Sequence, residues 1–134
     1  MTVIDRIANA VPTEVRDYGG TQILVLRDDA DASDIKRVAN ELIREAWSYH
    51  AAAIAIPVGC MSPDFFQLRT GVAGALIQKL VNYRLIVAFV GAIPQHFLES
   101  QSLGDFIREC NRGRSTWFLN DMDELAARLA ARNR

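Results

Sequence analysis

The densest group of side chains with chemical potential in this sequence is Arg69-Thr70-Gly71-Val72-Ala73-Gly74, followed by Gln78, Lys79, Asn82 and Tyr83. Two glycines three apart at a helix start would let backbone N–H groups approach an anion. Arg69 could pair bidentately with a carboxylate or phosphate delivered there. Thr70 suits either a helix N-cap or a hydroxyl open to modification. The same glycines would also permit close packing of helix on sheet, and spacing alone favours that. The segment is neither a P-loop nor a dinucleotide fingerprint, lacking the glycine count and a Gly-Lys-Thr ending. Yet more polar side chains surround it than packing requires. Arg69, Thr70, Gly71, Gly74, Gln78, Lys79, Asn82 and Tyr83 are therefore the first candidate site for a ligand or partner.

A second polar group, Glu109, Asn111 and Arg112 with Arg114 beside them, falls at the end of a later helix. Basic residues are expected there from the helix dipole, so a ligand role is the lesser reading. Cys60 lies just past a strand, where open α/β sheets place ligands. A nucleophilic thiolate needs a neighbouring cation or base, and none is spaced for it. Cys110 sits on an apolar helical stripe and reads as core. His50 and His96 are isolated, and no set of three or four donors converges in the sequence, so no metal site is expected. Asp28, Asp29 and Asp31 precede a helix, where dipole and capping account for them. No catalytic residue and no cofactor is assigned.

These side chains need a frame. Strands at 15–18 and 23–26 flank Gly19-Gly20, a pair that closes an antiparallel hairpin. From Ser33 the period changes. Ile35, Val38, Ala39, Leu42, Ile43, Ala46 and Trp47 draw one helical stripe. Residues 52–58 and 85–90 are unbroken apolar runs, as in strands buried on both faces. Between them, Ser62-Pro63-Asp64 starts a turn or helix, and a helix follows with Val72, Leu76, Leu80 and Tyr83 on one side. Ser102 with Asp105 resembles a capping box, Leu103, Phe106, Ile107 and Cys110 form a stripe, and Gly113 offers a left-handed stop. Residues 116–119 form a last strand, and Asp121 with Glu124 caps a closing helix over Leu125, Ala126 and Leu129. Strands alternating with helices imply right-handed crossovers and a parallel sheet. The expectation is an α/β fold with a mixed, mostly parallel sheet and an N-terminal antiparallel hairpin. Its core should contain Leu42, Ile54, Ile56, Leu76, Val87, Phe89, Phe106 and Phe118.

At 134 residues the chain fits one domain, 1–134, large enough to fold without metal or disulfide. A formal net charge of -1 gives no general drive toward nucleic acid or an anionic membrane, and neither is expected as a partner. Met1 to Arg6 lacks a signal-peptide pattern, and the most apolar window is too short to span a bilayer. A cytoplasmic protein with two reduced thiols follows. A sheet of this size leaves an edge or an apolar helix face to be covered, and Trp47 or Trp117 near such a face points to a homodimer.

The blocks Phe65-Phe66-Gln67-Leu68-Arg69-Thr70-Gly71-Val72-Ala73-Gly74, Gln78-Lys79, Asn82-Tyr83-Arg84 and Glu109-Cys110-Asn111-Arg112-Gly113 resemble a bacterial family, domain-of-unknown-function family 4180. The resemblance covers nearly the whole chain and implies no activity. Family members often carry Glu in place of Ala75 and Ser in place of Cys110. A weaker resemblance is to STAS domains of anti-sigma-factor antagonists, through element order and Leu68-Arg69-Thr70-Gly71-Val72-Ala73-Gly74. There Thr70 would stand where STAS domains carry a phosphorylated serine, although Arg69 replaces the preceding Asp. That likeness implies a STAS-like regulatory module reading a regulatory protein through the 69–74 turn. The alternative is a small-molecule-binding protein or enzyme using the same turn with Lys79 and the 109–112 group.

Overall fold

Gly19 and Gly20, at φ +61° and +90°, make the two-residue turn between β1 (Thr13–Tyr18) and β2 (Thr21–Leu26). Only residues free of a Cβ adopt that pair of angles without strain. Asp17 tightens the turn by accepting the Gly20 N–H at 2.7 Å. In the computed structural model, which describes residues 12–32 and 34–132, the two strands pair antiparallel with Tyr18 opposite Thr21. Ser33 and the segment from Met1 to Arg6 lie outside the described residues.

Three strands continue the sheet in parallel: β3 (Ala53–Pro57), β4 (Ile86–Val90) and β5 (Thr116–Leu119). Their spatial order is the order of the chain, β1-β2-β3-β4-β5. Since every right-handed crossover steps the same way, the crossover helices fall on one face. These are α1 (Ile35–Ser48), α2 (Val72–Asn82) and α4 (Gln101–Arg112), with the short α3 (Gln95–Leu98) before the last. Leu24, Ile54, Ile56, Val87 and Phe89 meet Val38, Leu42, Leu76, Leu80 and Leu103 there. On the other face Ile23, Ala53, Ala55, Ile86, Ala88 and Trp117 meet Leu125 and Leu129 of α5 (Met122–Arg132). Burial from both sides is why β3 and β4 read as continuous apolar runs.

Leu42, Ile54, Ile56, Leu76, Val87 and Phe89 are buried as expected, whereas Phe106 and Phe118 are half-buried and pack against the core. All six phenylalanines nonetheless form one chain of ring contacts. Phe65 touches Phe89 (centroids 4.8 Å) and Phe66 (5.2 Å), Phe66 stacks on Phe97 (4.8 Å), Phe89 on Phe118 (4.9 Å), and Phe106 abuts Phe118 (6.1 Å).

Several boundaries differ from the sequence reading for local reasons. The third strand ends at Pro57, and Val58–Cys60 turns into a 3-10 helix. The cap of α4 is Ser100, whose Oγ accepts the Leu103 N–H at 3.2 Å. Ser102 is already inside the helix, and Asp105 pairs with Arg108. Gly113 has φ −83° and is not a left-handed stop. The left-handed positions belong instead to His50 and Arg84, just past α1 and α2. There the Ala51 and Leu85 N–H groups reach back to the carbonyls of Ala46 and Leu80. Tyr83 is the C-cap of α2 and is exposed rather than part of its buried face. Asp121 caps α5 as expected, accepting the Glu124 N–H, while Glu124 reaches back to the Asn120 N–H, both at 2.9 Å.

Candidate functional site

Two parallel strands, β3 and β4, end side by side, and the loops leaving them build a cleft. After β3 the chain makes three 3-10 turns, Val58–Cys60, Pro63–Phe66 and Leu68–Thr70, before α2. After β4 it passes through α3 to the Ser100 cap. The cleft between them encloses about 440 Å³. Phe66, Leu68 and Phe97 give it an apolar wall, and Gln67, Arg69, His96, Ser100 and Ser102 supply polar groups. Arg69 is exposed and has no ion pair among the described residues.

Thr70 holds the turn together. Its hydroxyl lies 2.7 Å from the Asp64 carbonyl and 2.8 Å from that of Gln67, donating to one of them, and accepts the Val72 N–H at 3.3 Å. The cap position itself is Gly71, left-handed at φ +78°, so Thr70 precedes the N-cap rather than occupying it. Gly74 neither packs closely nor needs a special angle: an added Cβ there would meet open space. Packing therefore does not explain that glycine.

The remaining candidates do not converge on Arg69. Gln78 and Asn82 bond each other at 2.9 Å on the exposed side of α2, and Tyr83 meets Trp47 edge-on at 6.4 Å. An eleven-residue helix spans roughly 16 Å, so Tyr83 stands at the far end from Arg69. Lys79 is half-buried near that end. Glu109, Asn111 and Arg112 also lie at the opposite end of the sheet, where α4 finishes. Glu109 and Arg112 form an exposed ion pair at 3.5 Å. Asn111 is structural: its Oδ1 accepts the Phe118 N–H at 2.7 Å and its Nδ2 donates to the Phe118 carbonyl at 3.2 Å.

The sequence reading missed Gln67, His96, Phe97, Ser100 and Ser102 as neighbours of Arg69. The signal available was the rule that ligands sit beyond the carboxyl ends of parallel strands, applied to two loops jointly.

A second cavity of about 440 Å³ opens at the same end on the other face, over Val25, Ala55, Val90 and Met122. Its charged rim is largely paired with itself, Glu14 with Arg16 at 2.9 Å and Arg27 with Asp29 at 3.5 Å. That leaves less for a ligand than the Arg69 cleft offers.

Cys60 is buried between these regions, its thiol 3.3 Å from the Arg27 carbonyl. Burial pushes its pKa above the ordinary thiol value, and the charges of Asp28, Asp29 and Asp31 push the same way. Cys110 is raised too, by burial and then by Glu109. Both cysteines are free. A raised pKa keeps the thiol protonated to higher pH, so Cys60 is expected to react with iodoacetamide more slowly than free cysteine at neutral pH. Its rate should still be climbing at the pH at which free cysteine levels off. Mass-spectrometric rates equal to or faster than free cysteine would contradict this. Among the described residues, no three His, Cys, Asp or Glu side chains converge on a metal-sized site. No described helix is long and apolar enough to cross a membrane.

A family model described as Domain of unknown function (DUF4180) matches residues 18–129, from the end of β1 into α5. The chain belongs to this family. The matched span holds the whole parallel part of the sheet, the Arg69 cleft and the Asn111 contact with β5. No curated protein and no solved structure matches the chain.

Proposed function

We propose that the protein is a ligand-binding module that takes a small organic carboxylate in the Arg69 cleft. One observation carries this reading: a guanidinium with no ion pair among the described residues stands beside a stacked Phe66–Phe97 wall, where two adjacent parallel strands end. Arg69 would pair with the carboxylate, the aromatic wall would hold the apolar body, and Ser100 or Gln67 would fix orientation. The volume, about 440 Å³, falls in the range of small-molecule sites. Two thiols held toward their protonated form favour binding over nucleophilic catalysis.

The test is ligand-observed NMR with a panel of arylacetates and benzoates against the full chain. At least one aromatic carboxylate should saturate, and Arg69→Gln should weaken it roughly tenfold to a hundredfold, the value of a charge-assisted contact. If no member binds, or if binding survives Arg69→Gln, the reading fails. The regulatory alternative, with Thr70 as a phosphorylated switch read by a partner protein, has less support. The Thr70 hydroxyl is engaged with Asp64 or Gln67 and with Val72.

The homodimer stands as a proposal on the exposed Trp47, 65% accessible, with Tyr83 against it, rather than on the buried Trp117. Sedimentation at micromolar concentration should give a dimer mass that Trp47→Ser reduces to the monomer. A wild-type monomer would dismiss it.

A further inference from the structure

At the amino end of β5, on the side of the sheet opposite the Arg69 cleft, four arginines line one shallow, open cavity. Arg112 ends α4, Arg114 follows in the connection into β5, and Arg128 and Arg132 belong to α5. The floor is Ala127 and Ala131 beside Trp117, and no carboxylate side chain of the described residues lines the space. A helix dipole accounts for one or two cations at the end of a helix. Helix ends account for Arg112 and Arg132, the last residues of α4 and α5, and leave Arg114 and Arg128 unexplained in a chain whose net charge is -1.

Two of the guanidiniums are held in place. Arg128 lies over the Trp117 ring, 5.2 Å from its centroid, and donates one N–H to the Asn111 carbonyl at 2.7 Å. Arg132 donates its Nε–H to the Arg114 carbonyl at 3.1 Å. Each of these uses one of five donors and leaves the fork available. Arg114 has no ion pair among the described residues, and Arg112 has only the loose, exposed one to Glu109 at 3.5 Å. Four like charges around one space repel, and a multiply charged anion relieves that repulsion.

We propose that this cavity is a binding site for the phosphoryl groups of a small diphosphate-bearing molecule. A single carboxylate supplies too little charge for four guanidiniums, and planar forks match phosphoryl oxygens bidentately. A nucleic-acid backbone is disfavoured because the positive charge is gathered in one cavity rather than drawn out along a stripe. The site is independent of the Arg69 cleft.

The experiment is calorimetric titration of the full chain with inorganic pyrophosphate, inorganic phosphate and a single-stranded oligodeoxynucleotide. Pyrophosphate should saturate one site, bind more tightly than phosphate, and weaken as salt rises. Arg114→Gln and Arg132→Gln should each weaken it roughly tenfold or more, while Arg69→Gln leaves it unchanged. The Arg114 side chain makes no hydrogen bond or ion pair among the described residues, so thermal unfolding of Arg114→Gln should match the parent. Absence of saturable pyrophosphate binding, or binding undiminished in both variants, overturns the proposal. So does an oligonucleotide that binds more tightly than pyrophosphate and is lost in the same variants.

Discussion

Phe89→Ala is expected to cost about 3–5 kcal/mol of folding stability, the usual loss when a buried phenylalanine leaves a cavity. Phe89 is fully buried in β4 and touches Phe65 and Phe118, so its removal opens the middle of the ring network. Against a total of about 5–15 kcal/mol for a domain, roughly a fifth or more of the stability goes. In urea the midpoint should fall with little change in slope. Phe106→Ala, at the half-buried end of the network, should lose clearly less. Equal losses at the two positions would mean that the network does not centre on Phe89.

Asn111→Ala should cost about 2–3 kcal/mol, because two partly buried backbone groups of Phe118 lose their partner at once. At this chain length that corresponds to a fall in melting temperature on the order of 10 °C. The side chain amide imitates a neighbouring strand for one residue of the edge strand β5. Asn111→Asp keeps the acceptor for the Phe118 N–H but loses the donor to its carbonyl, and should fall between alanine and the parent. A melting temperature unmoved in Asn111→Ala would remove the clasp from the account of stability.

Sequence patterns were a good guide where a residue's own chemistry dictates the outcome. Gly19-Gly20 makes the turn because the turn needs positive φ twice. The runs in β3 and β4 are strands because both faces are covered. The pattern misleads where the deciding partner is elsewhere. Gly113 invites a left-handed stop, yet the positions that adopt one are His50 and Arg84, held by bonds back to Ala46 and Leu80. Ser100 rather than Ser102 caps α4 because α3 ends just before it. In the candidate site Arg69 is legible as an unclaimed cation beside glycines. Its neighbours His96 and Phe97 come from the loop after another strand, and only the adjacency of β3 and β4 brings them together. Asn111 reads as a ligand residue because nothing local shows that the chain returns seven residues later to meet it.

A sheet whose spatial order repeats the order of the chain has a consequence for how it is made. Each strand, on leaving the ribosome, finds the strand it pairs with already synthesised, and no pairing waits for a distant segment. Contacts therefore have modest sequence separation for a parallel sheet, which favours rapid folding and domain growth from the N-terminal side. The two faces finish at different times. The face under α1, α2 and α4 can close as β5 arrives, whereas α5, which covers Ile86, Ala88 and Trp117, is synthesised only after β5.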